Sequence, residues 1–495
     1  MTSTEGLGRS VARSAAWSVL LRLMIRGLGL ISTLILARLL LPQDFGLVAM
    51  ATLVIGVLEF IFDFSFNQFL IREREAARSL YDTVWTLSVI RSVLIAGLMA
   101  IGAPLIVAFY GEPRLLPVFW FLAFTSLLAG FENVGIVDFQ KKLQFHREFR
   151  YRGLIKIVSF VATIALAFSL RSYWALVWGT VVGQVTLVML SYLMCDYRPR
   201  FDLSQTRRVF SFSMWYMVAS IFGAFLTRSP ALVLGRLGGP ASVGFFEVGR
   251  EVADLPTTEL VWPIARVLYP GYAAAANDMQ VMRKLFLDST AITMCLATPL
   301  ALGVSATAEL MVRIALGSPW LPAVPVIEIM AISGLVRLSY SGLQSVVTAL
   351  GKPSLYAYLA MFSCCVTMPP MLYGTINYGL TGAAVGYLCG IIFSAVAFQV
   401  CALRLARVGP LVFWRSWARS VVAGIVMYGA VAGTMKLLMP LVSGLVGYLG
   451  VALLLVVLGA FIYVGASVML WKLAGSPAGG EQIMLDEIRK RLRRS

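Results

Sequence analysis

The sequence predicts an all-α polytopic membrane protein of about fourteen transmembrane helices, built as two six-helix lobes of the same orientation and a C-terminal helix pair. Two observations predict this fold class: a very apolar composition and a sequence signature that occurs twice. Hydrophobic residues make up 59% of the 495 residues, charged residues only 13%, and the mean hydropathy is +0.84. A chain this apolar is suited to lipid, because a soluble domain of this length needs far more polar surface.

The repeated signature is an Arg-Leu pair followed by a proline and then a glycine at fixed spacing. Each copy follows a long apolar run and leads into another one. Small residues spaced by four also recur at the start of one helix in each half, which indicates a duplicated unit. Parallel repeats of this kind are common in secondary transporters, whose substrate site lies between the halves. The paired residues are Arg38, Leu39, Pro42, Gly46 with Arg236, Leu237, Pro240, Gly244, and Ala175, Gly179, Gly183 with Gly382, Gly386, Gly390.

Apolar runs of about 20 residues define the predicted spans and therefore the predicted domains. The first lobe covers residues 1–197, the second 207–405 and the helix pair 415–473, with a cytoplasmic basic amphipathic tail at 474–495. The spans are predicted to start near Trp17, Leu47, Trp85, Leu116, Leu154, Tyr173, Val209, Phe245, Ser289, Val324, Leu355, Leu380, Trp417 and Leu445.

The distribution of positive charge predicts the topology. The chain has 41 Lys and Arg residues, and most lie in alternate loops, among them Arg147, Arg152 and Lys156. Cytoplasmic loops of membrane proteins carry this excess, so both termini are predicted to be cytoplasmic. The net charge of +17 therefore reflects topology and gives no reason to expect a nucleic acid partner. The basic tail is expected to bind either anionic membrane lipids or a partner protein.

Arginines within the apolar runs are the main candidates for binding a ligand. A charged side chain in a lipid-facing position is costly, so these residues are expected to face protein or a water-filled cavity. The planar guanidinium group pairs bidentately with phosphate oxygens, which predicts an anionic headgroup as the ligand. Arg228 is the strongest single candidate because Pro230 follows it within the span. The predicted headgroup-binding residues are Arg22, Arg26, Arg91, Arg228, Arg250 and Arg337.

Carboxylates in the spans are the second group of candidates. Close carboxylates in a low dielectric bind H⁺ or Na⁺ readily, so they are predicted to bind a coupling ion or, alternatively, to serve as counter-ions for the arginines. For Arg250 the simpler interpretation is that it neutralises Glu247 and Asp254. No metal site, catalytic residue or cofactor other than a coupling ion is predicted. The candidate carboxylates are Glu59, Asp63, Glu132, Glu247 and Glu251.

Two stretches resemble a known family. Gly29–Arg72, with the first signature, and Arg228–Pro256, with the second, are similar to the bacterial oligosaccharide flippases of the multidrug/oligosaccharidyl-lipid/polysaccharide (MOP) exporter superfamily. The resemblance extends in pattern over residues 10–405. It implies the MOP exporter fold and a location in the bacterial cytoplasmic membrane. It also implies that the protein transfers polyprenyl-pyrophosphate-linked oligosaccharide to the outer leaflet by alternating access. Other polysaccharide assembly proteins are then expected as partners.

Three other functions compete with this one. The fourteen spans also resemble the peptidoglycan lipid II flippases, in which the additional helix pair forms a lipid groove. A cation-coupled multidrug exporter of the same superfamily is expected to have fewer arginines in its cavity. A membrane enzyme is disfavoured, because the chain has no Asp-x-Asp pair and its only histidine, His146, lies in a predicted cytoplasmic loop.

Overall fold

The computed structural model describes most of the chain and shows an all-helical protein. It describes residues 3–62, 66, 70–71, 77–142, 144–206, 228–255, 257, 272, 278–349 and 353–475, and no strand occurs among them. Within these ranges ten helices are long and apolar enough to cross a membrane, or up to eleven if one bent pair is a single span. The predicted class, a multi-pass all-α membrane protein, is confirmed.

The first half of the chain contains long helices with short connections. Pro42 occupies the first turn of the second helix, where its missing N–H leaves no bond unmade. Gly111 ends the third helix in the left-handed conformation, with φ of 68°. The helices are α1 (Ser3–Leu39), α2 (Pro42–Ile61), α3 (Arg78–Tyr110), α4 (Leu115–Ala129), α5 (Val137–Lys141), α6 (Phe145–Leu170), α7 (Trp174–Met194) and α8 (228–255).

The second half continues the same pattern. Asp278 caps the ninth helix by accepting hydrogen bonds from the backbone N–H groups of Gln280 and Val281. A π-helical turn, Val312–Leu316, and a 3₁₀ turn, Ser318–Ala323, precede the eleventh helix. The helices are α9 (Met279–Ala306), α10 (Ala308–Met311), α11 (Val324–Leu338), α12 (Gly342–Ala349), α13 (Pro353–Ala406), α14 (Pro410–Leu438) and α15 (Gly444–Leu473).

Each predicted span outside 207–271 has its own helix once α13 is divided at Gly379. That glycine has φ of 59° and ψ of −135°, so the backbone reverses there although helical hydrogen bonding continues on both sides. The seventh predicted span begins outside the described residues and reappears at 228, where α8 also includes a break at Gly239, with φ of 72°.

The small-residue ridges of the two halves pack in the same way. A Cβ atom on Gly179 of α7 would lie 1.9 Å from Oγ1 of Thr163, on the preceding helix α6. A Cβ atom on Gly386 would lie 2.2 Å from the carbonyl oxygen of Pro370, in the helical segment that precedes Gly379. Each ridge therefore lets a span contact the previous span of its own half at backbone distance, as glycines do in membrane helices.

Contacts divide the chain into two compact units, residues 1–244 and 245–495. In the second unit α9 is central, packing against α11 and α14. The C-terminal helices join this unit, because Gly424 of α14 lies against Thr298 and the Tyr463 hydroxyl of α15 donates to the Cys295 carbonyl at 2.7 Å. The predicted lobes at 1–197 and 207–405 stay a prediction from the repeat.

Buried apolar side chains fill the interior of both units. In the first unit they include Leu47, Met50, Met99 and Phe119, all fully buried, and further clusters form around Trp85, Leu36 and Phe139. The second unit has a large cluster that includes Phe286, stacked on Phe413 with ring centroids 5.7 Å apart.

Candidate functional site

A cavity of about 730 Å³ lies within the helices of the first unit. We call it the first-bundle cavity. Its lining residues come from α1, α3, α4, α5, α6 and α7, from the turn at residues 130–136 and from Phe66. Its polar lining residues are Ser88, Arg91, Glu132, Asn133, Gln140, Glu148, Tyr151, Arg152, Lys156, Ser159, Thr180 and Gln184.

A sharp bend after α4 supplies one wall of the cavity. The chain turns by 65° between α4 and the helical segment 134–141, and Glu132 and Asn133 lie at the turn. Asn133 is fully buried, accepts from the Gly135 backbone N–H at 2.9 Å and donates from Nδ2 to the Tyr197 carbonyl at 2.7 Å. These bonds fix the bend, because a buried amide without partners would be costly.

Both carboxylates of the cavity have hydrogen-bonding partners. Glu132 accepts from the Tyr151 hydroxyl at 2.7 Å. Glu148 accepts from Gln140 at 2.7 Å and from Arg152 at 3.0 Å, where Arg152 lies one helical turn further along α6. The negative charge of Glu148 is therefore balanced by Arg152.

Arg91 and Lys156 give the cavity an excess of positive charge, because Glu132 is the one carboxylate of its lining that remains after Glu148 pairs with Arg152. Among the described residues neither side chain forms an ion pair or a hydrogen bond. The Nε atom of Arg91 is buried and has no acceptor within the described ranges. Arg91 lies on α3 next to a tight contact with α4, where a Cβ atom on Gly130 would approach Ser92 Oγ to 1.9 Å. The backbone that carries Arg91 is thus held firmly in place.

The arginines of α1 and α8 lie elsewhere in the first unit. Arg22 is half-buried and Arg26 is exposed, while their neighbour Ile25 lines the cavity. The guanidinium group of Arg228 packs over Gly56 of α2, with Nη2 3.3 Å from the position of a Cβ on that glycine. Glu59, also on α2, is exposed. Because Gly56 has no side chain, the guanidinium group of Arg228 can pack closely against α2.

In the second unit both predicted headgroup arginines have carboxylate partners. Arg250 pairs with Glu247 on the same helix, and Arg337 of α11 pairs with Asp254 of α8. These pairs agree with the simpler interpretation of Arg250 as a neutralising group and extend it to Arg337. The Oε1 atom of Glu247 is buried and has no hydrogen-bond partner among the described residues, whereas Glu251 is exposed. Asp63 lies outside the described residues.

The segment that follows α7 is fastened to the first bundle. Asp82 of α3 accepts from the Arg200 backbone N–H at 2.9 Å and from the Tyr197 hydroxyl at 2.5 Å, and Thr86 accepts from the Asp202 N–H at 3.0 Å. Burial and the bond to Asp82 raise the pKa of Tyr197, so its hydroxyl stays protonated and donates. We call this end of the bundle, with residues 195–206, the linker end.

A second cavity of about 690 Å³ lies at the linker end. It is rich in positive charge, although several of its cations have partners. Lys142 pairs with Asp138 at 2.7 Å and Arg78 lies 3.8 Å from Asp82. Its charged lining residues are Arg78, Asp138, Lys142, Arg147, Asp196 and Arg198.

The sequence identified Arg91 and Glu132 of the first-bundle cavity but missed its other charged members. The charge distribution predicts that Arg152 and Lys156 lie in a cytoplasmic loop and contribute only to topology. The structure shows that α6 already begins at Phe145, so Lys156 lies about three turns inside the helix. The helical spacing of Glu148, Arg152 and Lys156, each one turn apart, was the signal that could have placed them on one face.

Comparison of folds gives the class of protein. The chain is similar to the inward closed conformation of the lipid II flippase MurJ, with a TM-score of 0.74, 12% identity and coverage of 92% of this chain and 99% of that one. It is also similar to an inward-facing multidrug resistance MATE family transporter of the MOP superfamily, with a TM-score of 0.55, 14% identity and coverage of 79% and 98%. The protein therefore has the predicted MOP exporter fold.

Sequence comparison gives the family. Residues 35–325 match the family described as "Polysaccharide biosynthesis protein", and the chain belongs to that family. It is 26% identical over 398 residues to the succinoglycan biosynthesis transport protein ExoT of Rhizobium meliloti (strain 1021), an alignment that covers 79% of each chain. The resemblance to polysaccharide flippases of the MOP superfamily is confirmed.

Proposed function

We propose that this protein is a flippase that moves a polyprenyl-pyrophosphate-linked oligosaccharide from the inner to the outer leaflet of the bacterial cytoplasmic membrane. The product supplies surface polysaccharide, such as O-antigen, exopolysaccharide or capsule. The fold and the family support transport of a polysaccharide precursor. The relative ExoT is named as a succinoglycan biosynthesis transport protein, which supports a transport role in polysaccharide biosynthesis.

The observation that carries the proposal is the first-bundle cavity with its unbalanced cations. A polar cavity among apolar helices makes the protein less stable than apolar side chains filling the same space would make it. We therefore assign the cavity a role in binding a ligand. Arg91 and Lys156 favour an anionic ligand. A cationic drug would be repelled by the same residues, which argues against the multidrug exporter alternative.

The direction of transfer follows from the topology that we propose. The linker end, with Arg78, Lys142, Arg147 and Arg198, faces the cytoplasm, and so do both termini. Asn133, Gln140 and Glu148 bring the first-bundle cavity close to this end. The substrate headgroup then enters from the side on which lipid-linked sugars are assembled, and its prenyl chain stays in the lipid.

The six predicted arginines divide into two groups under this proposal. Arg91 binds the substrate in the first-bundle cavity, and Arg22, Arg26 and Arg228 form the positive surroundings of the pyrophosphate. Arg250 and Arg337 maintain the structure of the second unit through their carboxylate partners.

Transport is driven by H⁺ or Na⁺ that binds to a carboxylate of the spans. Glu247 is the best supported of the five candidates, since its Oε1 atom is buried without a partner in the described part of the chain and a proton or a cation would satisfy it. An ion drives the cycle only if it binds the two states of the protein with different affinity.

Depletion of the protein tests the proposed function. Lipid-linked intermediates are extracted from depleted cells, analysed by mass spectrometry and assigned to a leaflet with a membrane-impermeant label. We expect one oligosaccharide lipid to accumulate in the inner leaflet. Unchanged lipid-linked glycans together with new sensitivity to cationic drugs would contradict the flippase and favour the exporter.

A further inference from the structure

We propose that the first-bundle cavity binds the sugar part of the substrate, and that Arg91 and Lys156 there receive an anionic substituent carried by the sugar itself. The inference rests on the proposed function and deepens it, because it names the part of the substrate and its chemical class. The ligand is an acidic sugar, with a carboxylate or phosphate group separate from the lipid pyrophosphate.

The uncharged polar side chains of the cavity are suited to sugar hydroxyls. Hydroxyl groups and primary amides both donate and accept hydrogen bonds, as sugar hydroxyls do. The cavity contains several of each, distributed over four helices and the turn that carries Asn133. A prenyl chain needs apolar walls and is not suited to this polar lining. The side chains are Ser88, Asn133, Gln140, Tyr151, Ser159, Thr180 and Gln184.

The charges of the cavity select among sugars. Glu148 is paired with Arg152, so Arg91 and Lys156 face one remaining carboxylate, Glu132, and positive charge is in excess. A neutral sugar would bury this excess further without compensating it, which is unfavourable. A carboxylate or phosphate on the sugar compensates the excess, and it supplies the acceptor that the Nε atom of Arg91 lacks among the described residues.

The size of the cavity agrees with a short segment of glycan. Its volume of about 730 Å³ lies within the range of about 300–1,000 Å³ that small-molecule sites occupy. One end of the oligosaccharide therefore enters the first bundle, and the remainder lies outside it.

Binding of three soluble probes to the purified full-length protein in nanodiscs tests the inference. The probes are a glucuronosyl-glucose disaccharide, a glucosyl-glucose disaccharide and geranyl diphosphate, which represent the acidic sugar, the neutral sugar and the lipid pyrophosphate. The variants are Arg91→Gln, Lys156→Gln and Arg91→Lys. Arg150→Gln is the matched control, because Arg150 is an exposed cation of α6 that does not line the cavity.

We expect the wild-type protein to bind the acidic disaccharide at least about tenfold more tightly than the neutral one. Arg91→Gln and Lys156→Gln should each reduce this preference and leave geranyl diphosphate binding unchanged. Arg91→Lys should restore part of it, since Lys retains the charge without the bidentate geometry. Arg150→Gln should behave as wild type.

Three results would overturn the inference: equal affinity for the two disaccharides, no binding of either, or a loss confined to geranyl diphosphate in Arg91→Gln. The last result would assign the cavity to the lipid pyrophosphate. Failure of the proposed function would give a different result. The protein would still prefer the acidic disaccharide, but it would move no lipid-linked glycan across the membrane of vesicles.

Discussion

Gly46 and Gly244, the equivalent glycines of the two signature copies, lie against each other at backbone distance. A Cβ atom on Gly46 would lie 1.6 Å from the carbonyl oxygen of Pro240, and one on Gly244 would lie 2.0 Å from that of Pro42. The contact is nearly reciprocal, so the two copies meet about a local two-fold relationship. Only glycine permits such an approach, which explains why the signature has glycine at this position in both copies.

A methyl group at either glycine should separate the two helices. We expect Gly46→Ala and Gly244→Ala each to reduce transport severely, because overpacking of a backbone contact costs about 1–3 kcal/mol and the carbonyl cannot move aside cheaply. Complementation of a depleted strain measures transport, and the amount of protein in the membrane is measured alongside. Gly97→Ala is the control, since nothing lies within 4 Å of a Cβ there. Normal complementation by Gly46→Ala would show that the close contact is dispensable.

The pair formed by Asp254 and Arg337 should behave as a structural unit. Asp254→Asn or Arg337→Gln alone breaks the ion pair. Breaking a fully buried pair costs about 3–5 kcal/mol, and we expect a smaller loss of stability here because both side chains are partly exposed. The double variant should be more stable than the sum of the single losses predicts. Thermal unfolding in detergent checks this, and strictly additive losses would mean that the two residues act separately.

Asn133 should be important for the shape of the first-bundle cavity. Asn133→Ala removes a buried amide and leaves the Gly135 N–H without its acceptor, at a cost of about 1–3 kcal/mol. It also removes one of two donors to the Tyr197 carbonyl, which still accepts from Arg198 at 3.0 Å. The melting temperature should fall markedly, and it should stay unchanged in Asn377→Ala, since Asn377 is exposed and donates only within its own helix. Equal melting temperatures for the two variants would argue against the bend as a fixed element.

Glu247 should determine the ion dependence of transport. Glu247→Gln imitates the protonated carboxyl, so transport by this variant should lose its response to an imposed H⁺ or Na⁺ gradient while the protein stays folded. The control is Glu112→Gln, which alters a carboxylate paired with Arg114 in the loop between α3 and α4. A gradient response equal to wild type in Glu247→Gln would move the coupling site to Glu59, Asp63, Glu132 or Glu251.

The fold could be predicted from the sequence because each membrane helix needs an apolar run of about 20 residues, and such runs are visible in the sequence. The repeat is visible in the spacing of the Gly and Pro residues. The sequence was not sufficient for the partners of the charges. Arg91 and Arg337 look alike in sequence, since each interrupts an apolar run, yet Arg337 meets Asp254 from a helix far away in the chain and Arg91 meets no carboxylate among the described residues. Only the packing of helices decides this difference.

The most direct test of the account is translocation by the purified protein in vesicles that contain a pyrophosphate-linked oligosaccharide lipid in one leaflet. A membrane-impermeant glycan label reads the leaflet in wild type, Arg91→Gln and Arg150→Gln. We predict that wild type and Arg150→Gln expose the glycan on the opposite face, faster for an acidic than for a neutral glycan, and that Arg91→Gln loses this preference. A wild-type protein that leaves both lipids in their original leaflet would contradict the central claim.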